Sequence, residues 1–519
     1  MYDYCVEWAE CTAPHLKSRP QYLRFGGTNV KKHVFLRLIS ALLMLTAIFT
    51  LTSPFASAAS GKYYTDVATT SPAYKAVNYL REHNIMNGTS ETKFSPNGTL
   101  TRGQIVTIFH RMLNMPKTEN AVSFSDCKKG EYYYEAVQWA VDAGITNGCG
   151  GEKFNPEGKL TQQEAIIFLY RFIKHCGYDM LLDSTYAGIF KANMKYQGSF
   201  WECSQAATGW AFNCGLINNK VLGTATCPRS DAAIYIYSLY NKFQRKYALT
   251  VVNTHNLEVK VSGKTINAGS YCGEGMTKLF KEAGTTKAVY CKDITKADFK
   301  ESMKGTFEKA KKLDICYLFC YSHGQEGGLI LFKSGPNDVY DQTKLVPVEL
   351  REQINKYSGT FVVFIAGCHS GTYVNRGVNK TKTTVADSFD AEAFAMELVN
   401  VEEKATRGRI TLRDDKNNRI KVLCSAQQDE LSTRFWSAYY WAAGCGYDIE
   451  NSRSTDNLEA DVPNDRGISD GRISLDELHS YSNEKIMKYN EEHEDEIDWE
   501  QHMVCYPEND NYIIYEKGY

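Results

Sequence analysis

The chain has 519 residues, of which 43% are hydrophobic and 23% are charged, and its formal net charge at pH 7 is -2. This length exceeds what one hydrophobic core supports, so we expect a multidomain protein. The near-neutral net charge lacks the excess of basic residues that is typical of nucleic-acid-binding proteins, which argues against nucleic acid as a partner.

An export signal is predicted over residues 30–59. Three basic residues precede an apolar run at positions 38–51, and Ala56-Ser57-Ala58 follows it as a small-residue cleavage pattern. The run has the length of a signal core and is shorter than a typical membrane span. We therefore predict a secreted protein without a membrane span after cleavage. The alternative is a signal that stays uncleaved as an anchor.

Residues 1–29 do not resemble the start of an exported protein. They carry cysteines and glutamates without useful periodicity, and Gly26-Gly27 fits a ribosome-binding sequence a few bases before Val30. A GTG start codon at Val30 would begin the chain with a normal signal opening. We predict that residues 1–29 represent an untranslated leader.

The next segment repeats itself at an offset of 60 residues. Tyr64-Thr65-Asp66 matches Phe124-Ser125-Asp126, and Lys93-Phe94 matches Lys153-Phe154. Such self-similarity predicts repeated supersecondary units that share a core. Each copy is predicted to form two helices, with a capping box opening the second helix at Thr101 and at Thr161. A third, drifted copy runs from about Ser184 to Phe243.

These motifs resemble S-layer homology domains, predicted here as all-α repeats at residues 60–116, 119–178 and 180–245. The resemblance implies a place on the bacterial cell surface and binding of an acidic secondary cell wall polysaccharide. Thr101, Arg102 and Arg229 are the candidate binding residues, because an arginine at a helix start and exposed backbone N–H groups together suit a carboxylate. The middle copy departs from this pattern with Gln162. The alternative is that both arginines are ordinary solvated helix residues.

Two short apolar runs dominate the second half of the chain. Residues 315–321 end in Ser322-His323-Gly324, and residues 361–365 end in Ala366-Gly367-Cys368. Neither run alternates with polar residues, which predicts strands buried on both faces of a parallel sheet. A helix is predicted between them after Pro347. Reactive residues of such sheets gather at the carboxyl ends of the strands, where His323 and Cys368 both lie.

The order of strand-His-Gly, helix and strand-Cys-His-Ser-Gly resembles the caspase, metacaspase and legumain clan of cysteine peptidases. The resemblance covers about residues 246–519 and implies an α/β domain, an αβα sandwich. It implies that Cys368 is the nucleophile and His323 the base, with the backbone N–H groups of Gly324 and Cys368 as the oxyanion hole. His369 is the competing base, disfavoured because an adjacent side chain usually points away.

The specificity pocket departs from the clan. The residue two before the cysteine is commonly acidic or Gln there, and here it is Ala366. The pocket is therefore either apolar or charged from elsewhere, and Gln428, Asp429 and Glu430 are the candidates to contribute. The segment from Tyr373 to Asn418 is predicted to be in part a processing loop, because it holds basic residues at positions 376, 380, 382, 407 and 409.

The predicted function is that of a cell-wall-anchored cysteine endopeptidase acting on a protein or peptide substrate. The alternatives are an inactive peptidase-like surface protein and a transpeptidase that uses the same dyad. No cofactor or metal site is predicted, since no CxxC pair occurs and the loop at Asp470-Gly471 lacks calcium ligands at its first positions. With Cys368 free, thirteen cysteines remain after the signal, so at least one more thiol is unpaired within the chain.

Overall fold

A computed structural model describes residues 62–118, 122–254, 257–261, 263–325, 328–331, 344–345, 347–368, 370, 418–426, 432–455, 457–462, 469–493, 501–507 and 509–517. The predicted leader and signal peptide lie outside the described residues. So do His369, the three candidate pocket residues at 428–430, and all of the predicted processing loop except Asn418.

Seven helices form the first part of the molecule, which we call the helical part (residues 62–245). They are α1 (Tyr74–Glu82), α2 (Arg102–Met112), α3 (Tyr134–Asp142), α4 (Gln162–His175), α5 (Asp183–Asn193), α6 (Gln205–Asn213) and α7 (Arg229–Phe243). The predicted capping boxes are confirmed: Thr101 pairs with Gln104, and Thr161 with Glu164. One hydrophobic cluster runs through all seven helices, so none of the repeated units has a core of its own.

The helical units interlock in a ring. At the start of α2, the backbone N–H groups of Arg102 and Gly103 donate to the carbonyl oxygens of Gly158 and Pro156 in the next unit, at 2.9 and 2.8 Å. The same pair of bonds recurs twice. Gln162 and Gln163 at the start of α4 donate to Ala225 and Gly223, and Arg229 and Ser230 at the start of α7 donate to Gly98 and Pro96. Each helix start is therefore satisfied by a neighbouring unit, and the third unit closes back on the first.

The rest of the chain, from Lys246 onward, is the α/β part. Its elements in order are β1 (Lys246–Val252), β2 (Glu258–Val261), β3 (Lys264–Asn267), α8 (Ala268–Glu282), β4 (Lys287–Lys292), α9 (Lys296–Phe307), β5 (Ile315–Tyr321), β6 (Gly324–Gln325), β7 (Gly328–Ile330), β8 (Lys344–Leu345), α10 (Pro347–Ile354), β9 (Thr360–Ala366), β10 (Ile420–Cys424), α11 (Arg434–Gly444), β11 (Tyr447–Asp448), β12 (Arg453–Ser454), β13 (Arg472–Ser474), α12 (Leu475–Glu492), β14 (Val504–Tyr506) and β15 (Ile513–Glu516).

A six-stranded sheet organises this part, in the order β4-β1-β5-β9-β10-β14. All of its neighbours pair in parallel except β14, which is antiparallel to β10. Every residue of β5 and of β9 is buried, which explains why neither strand alternates with polar residues. The prediction of two central parallel strands is confirmed, and the helix between them spans Pro347–Ile354.

Helices cover both faces of the sheet. The face that carries Tyr317 and Phe364 packs against α8, α11 and α12, and the opposite face packs against α9. The α/β part is therefore a three-layered αβα structure, as the sequence predicts. The first strand of this part, β1, lies inside the sheet between β4 and β5.

The helical part packs against the amino ends of the sheet strands. Asn114, just after α2, donates to the hydroxyl oxygen of Thr360 at the start of β9, at 2.8 Å. Asp314, just before β5, accepts hydrogen bonds from the Tyr178 hydroxyl at 3.0 Å and from the Arg245 backbone at 2.7 Å. A strand of seven residues spans roughly 23 Å. The carboxyl ends therefore lie on the far side of the sheet from these contacts.

A buried ionic cluster also joins the two parts. The Arg472 guanidinium contacts Glu82 of the helical part and bonds Glu516 at 3.0 Å. His83 lies 3.7 Å from the same Glu516. Burial lowers the pKa of His83 to about 4, so its ring is neutral at pH 7 and adds no charge to the cluster. Separating the two parts would leave buried charges without their partners, which is unfavourable. The cluster therefore holds the two parts in one arrangement.

Of the helices in the described ranges, none combines the length and the apolar character that crossing a bilayer requires.

Candidate functional site

The ends of β5 and β9 bring the segments of His323 and Cys368 side by side. The two strands pair in parallel, and their last register pair is Tyr321 with Ala366, an offset of 45 residues. His323 and Cys368 have the same offset, so each is the second residue beyond its strand. The pairing continues past the strands, because the Ser322 backbone N–H donates to the Ala366 carbonyl oxygen at 3.0 Å.

Gly324 makes the closest approach to the cysteine. A Cβ at position 324 would overlap the carbonyl oxygen of Cys368 and lie 2.7 Å from its carbonyl carbon. Only glycine leaves room for this contact between the two backbones. The segment beyond it turns back as a hairpin, in which the Ile330 backbone N–H donates to the His323 carbonyl oxygen at 3.0 Å. The backbones of both predicted catalytic residues are thus held by their neighbours.

A group of buried hydroxyls supports the cysteine segment. The Gly367 backbone N–H donates to the Ser425 hydroxyl oxygen at 3.1 Å, and the Ser432 hydroxyl donates to the same oxygen at 2.8 Å. The Cys368 thiol itself donates to the Ser432 carbonyl oxygen, with the sulfur 3.7 Å away. Cys368 is partly exposed, whereas Ser425 has no accessible surface. Cys368 therefore lies at the surface, and the buried serine hydroxyls beneath it are hydrogen-bonded.

A smaller polar pair lies under the histidine segment. The Asn253 side chain, just after β1, donates to the Ser322 hydroxyl oxygen at 3.3 Å, and that hydroxyl donates to the Ile330 carbonyl oxygen. Both residues are buried. Sequence reasoning missed Asn253, Ser322, Ser425 and Ser432. The one available signal was that the first three follow the carboxyl end of a strand.

Of the candidate pocket residues, only Ala366 lies in the described residues. It has no exposed surface and belongs to the hydrophobic cluster that also contains Tyr321 and Trp441. Ala366 therefore has no exposed surface to offer a substrate here, and its place in a substrate pocket stays a prediction. The physical reason is its place as the last residue of a central strand, where its side chain packs under the helices.

The other central cysteines differ from Cys368 in their surroundings. Burial raises the pKa of Cys320 to about 12 and raises the pKa of Cys424 well above its usual range. A buried thiol of this kind stays protonated at neutral pH and is a poor nucleophile. All fourteen cysteines within the described residues are free thiols.

The helix starts differ from their expected state. The backbone N–H groups of Arg102, Gly103 and Gln104 are not exposed, since two of them bond the next unit and the third bonds the Thr101 hydroxyl. The arginines are not solvated either, because Arg102 and Arg229 are only 8% and 6% exposed. The partners of these groups lie on neighbouring units, so the sequence of a single helix does not predict them. The assignment of Thr101, Arg102 and Arg229 to polysaccharide binding stays a prediction.

The two arginines bind the neighbouring unit in the same way. The Nε group of Arg102 donates to the Phe154 carbonyl oxygen at 2.9 Å, and that of Arg229 donates to the Phe94 carbonyl oxygen at 3.0 Å. Each guanidinium also lies over the ring of the same phenylalanine, at 5.0 and 4.9 Å from the centroid. Arg102 already has a carboxylate partner, since an oxygen of Glu164 lies 3.5 Å from its guanidinium group. At the corresponding position of α4 lies Gln162, whose side-chain amide donates to the Asp231 carboxylate at 2.9 Å.

Comparison with known proteins identifies the helical part. The family model of the S-layer homology domain matches residues 63–106 and 123–166. Residues 63–166 carry two S-layer homology domains. A 368-residue stretch is 24% identical to an S-layer protein of Bacillus thuringiensis subsp. finitimus, covering 69% of this chain and 43% of that protein. S-layer protein EA1 of Bacillus anthracis is 32% identical over 133 residues, covering 25% of this chain and 15% of that protein.

The chain is also similar to a relative of another kind. An amylopullulanase of Thermoanaerobacterium thermosulfurigenes is 28% identical over 176 residues, covering 33% of this chain and 9% of that protein. The chain thus spans less than half the length of these curated relatives. The domains and the surface-layer relatives together make this a secreted protein held at the cell surface.

Among solved structures, caspase-1 from Spodoptera frugiperda aligns with 51% of this chain and 88% of its own length, at 12% identity and a TM-score of 0.29. Its proenzyme aligns at 10% identity with the same TM-score.

Proposed function

We propose that this protein is a cysteine endopeptidase held on the cell wall by its S-layer homology domains. The observation that carries the proposal is the common offset of 45 residues, which makes His323 and Cys368 lateral neighbours at the carboxyl edge of the sheet. Support also comes from the close packing of Gly324 on Cys368 and from the partial exposure of the thiol, in contrast to the buried Cys320 and Cys424.

In the proposed mechanism, the His323 imidazole takes the proton of the Cys368 thiol, and the thiolate attacks the carbonyl carbon of the scissile peptide bond. The negative charge on the substrate oxygen is stabilised by the backbone N–H groups of Gly324 and Cys368. His323 then gives its proton to the leaving amine as the C–N bond breaks, and a thioester remains. Water, deprotonated by His323, cleaves the thioester and restores the thiol.

The arrangement of the two parts suits a wall-bound enzyme. The helical part contacts the amino ends of β5 and β9, and the candidate dyad follows their carboxyl ends. Binding of wall polysaccharide by the helical part would therefore leave the dyad directed away from the wall. We include residues 180–245 with the two matched domains as a third wall-binding unit, since α7 closes the ring of hydrogen bonds onto the first unit.

A peptide electrophile offers the direct test of the nucleophile. Incubation of the full chain with a library of peptidyl acyloxymethyl ketones, followed by peptide mapping, is expected to place the adduct on Cys368. The exposed Cys149 and Cys203 serve as internal controls, because they are accessible thiols far from the sheet edge. An adduct on either of these, or none at all, contradicts the proposal. Transfer of the acyl group to an added amine instead of water would identify a transpeptidase.

The wall-binding residues are tested by two variants with a matched control. Arg102→Ala together with Arg229→Ala is expected to weaken co-sedimentation with purified wall polysaccharide about tenfold or more, because two guanidinium groups are lost between the units. Arg171→Ala is the control. Its side chain lies on α4 and also donates to a carbonyl oxygen, that of Ile145, but away from the helix starts. Melting curves recorded in parallel separate lost binding from lost folding. A folded double variant with unchanged binding contradicts the assignment of Thr101, Arg102 and Arg229.

A further inference from the structure

Gln501 is a fully buried amide whose two ends are both bonded. Its Oε1 accepts from the backbone N–H and from the hydroxyl of Thr433, each at 2.7 Å. Its Nε2 donates to the Ser425 carbonyl oxygen at 2.5 Å and to the Ser437 hydroxyl oxygen at 3.0 Å. The side chain has no accessible surface. No oxygen or hydrogen of this amide is left to serve solvent or a ligand, so its role is internal.

The groups that Gln501 joins lie on either side of one connection. Ser425 directly follows β10, and Thr433 directly precedes α11, so one amide closes the gap between the strand end and the helix start. Gln501 itself comes from the segment between α12 and β14, and its own backbone carbonyl accepts from Asn490 of α12 at 3.3 Å. The last segment of the chain thereby fixes both ends of a connection at the carboxyl edge of the sheet.

Both joined groups lead directly to the cysteine. The residue before Thr433 is Ser432, whose carbonyl oxygen accepts from the Cys368 thiol at 3.7 Å. The hydroxyl of Ser425 bonds the backbone N–H of Gly367, the residue before Cys368, at 3.1 Å. Gln501 therefore reaches the thiol through Thr433 and its neighbour Ser432. It reaches the backbone before Cys368 through Ser425.

We propose that Gln501 is a positioning residue for Cys368: it holds the Ser432 carbonyl oxygen against the resting thiol and fixes the backbone before the nucleophile. This rests on the proposed function. A carbonyl oxygen accepts a hydrogen bond from a thiol but not from a thiolate, so the contact with Ser432 holds the sulfur only before it reacts. The thiol leaves this contact when His323 takes its proton. Gln501 thus sets where the nucleophile rests before it reacts.

The predicted consequence is a coupled change in turnover and in thiol reactivity. In Gln501→Met, which keeps the length and removes the hydrogen bonds, we expect kcat for peptide cleavage to fall about 10- to 100-fold, since a displacement of about 1 Å costs this much. The rate of Cys368 alkylation by iodoacetamide at pH 7 should rise about two- to fivefold, because the thiol is no longer held against the Ser432 carbonyl oxygen.

Gln163→Met is the matched control. Gln163 is equally buried, and its Oε1 accepts from the Trp201 backbone N–H at 2.7 Å and from the Ser204 hydroxyl at 3.2 Å, all within the helical part. It should lower the melting temperature while leaving kcat and the alkylation rate of Cys368 unchanged. If Gln501→Met does not fold, Gln501→Glu is used, which is isosteric and keeps the acceptor for Thr433.

Two readouts keep the failures apart. If wild-type protein does not cleave peptides, the proposed function fails, while the alkylation rate still measures the effect of Gln501 on Cys368. If wild-type protein cleaves and a folded Gln501 variant keeps both its kcat and its alkylation rate, the positioning role is overturned. A loss of kcat with an unchanged alkylation rate also overturns it, because a purely structural role predicts that result.

Discussion

Replacement of Cys368 by alanine is expected to abolish peptide cleavage, lowering kcat/KM by about 10⁴-fold or more, because the proposed thioester forms on its sulfur. The fold should persist, since the thiol makes one weak hydrogen bond to Ser432 and the residue is partly exposed. Replacement of His323 by alanine should lower the rate by about 10²–10⁴-fold, the usual contribution of a general base. Cleavage of a reporter peptide by the purified full chain measures both effects.

Two controls separate the dyad from its neighbours. His369→Ala should cost far less than His323→Ala, and Cys424→Ala should leave cleavage within a few fold, since Cys424 is fully buried in β10. Melting curves establish that each variant is folded. Residual cleavage by a folded Cys368→Ala variant would show that the nucleophile lies elsewhere.

Among the glycines that the structure describes in the α/β part, Gly324 is expected to tolerate replacement by alanine least. The added Cβ would overlap the carbonyl oxygen of Cys368, and that oxygen belongs to backbone that cannot swing aside like a side chain. One of the two loops must then shift, which should cost about 1–3 kcal/mol of stability. Because the shift separates the nucleophile from the proposed base and oxyanion donors, kcat should fall about 100-fold or more.

Gly305→Ala is the matched substitution. Gly305 lies in α9 with nothing within 4 Å of the position that its Cβ would take. Alanine should therefore stabilise the protein by about 0.5–1 kcal/mol, because glycine is the poorer helix former. Thermal unfolding and peptide cleavage, measured on both variants, check the contrast. Equal activity of the Gly324 and Gly305 variants would mean that the approach of Gly324 to Cys368 has no part in the reaction.

Local patterns predicted much of the architecture. The unbroken apolar runs of β5 and β9 predicted a parallel sheet, because only strands covered on both faces lack polar alternation. The Thr101 and Thr161 capping boxes predicted the starts of α2 and α4, because such a cap depends on residues three positions apart. The candidate dyad followed from the same strands, since a residue just past a strand end needs no distant information to be placed.

The repeated arginines show where local patterns fail. Arg102 at a helix start predicted free N–H groups beside a free guanidinium, and the structure instead gives both to the neighbouring unit. Ala366, placed by its spacing from Cys368, lies in the core rather than on an open pocket. In each case the local pattern predicted the position of the residue on its helix or strand. The partners of its side chain come from other parts of the chain, which the pattern does not contain.

The sequence by itself determined the repeated helices, the parallel strands and the places of His323 and Cys368 just past two strand ends, because period, capping and strand length act within a few residues of each other. Only the tertiary structure decided what surrounds them. Gln501 holds Ser425 across 76 residues, and Arg472 reaches Glu82 across 390. Contacts of such separation leave no periodic trace in the chain, since their energy depends on how complete layers pack. The same packing places the helical part at the amino ends of the strands and leaves the carboxyl ends to the candidate active site.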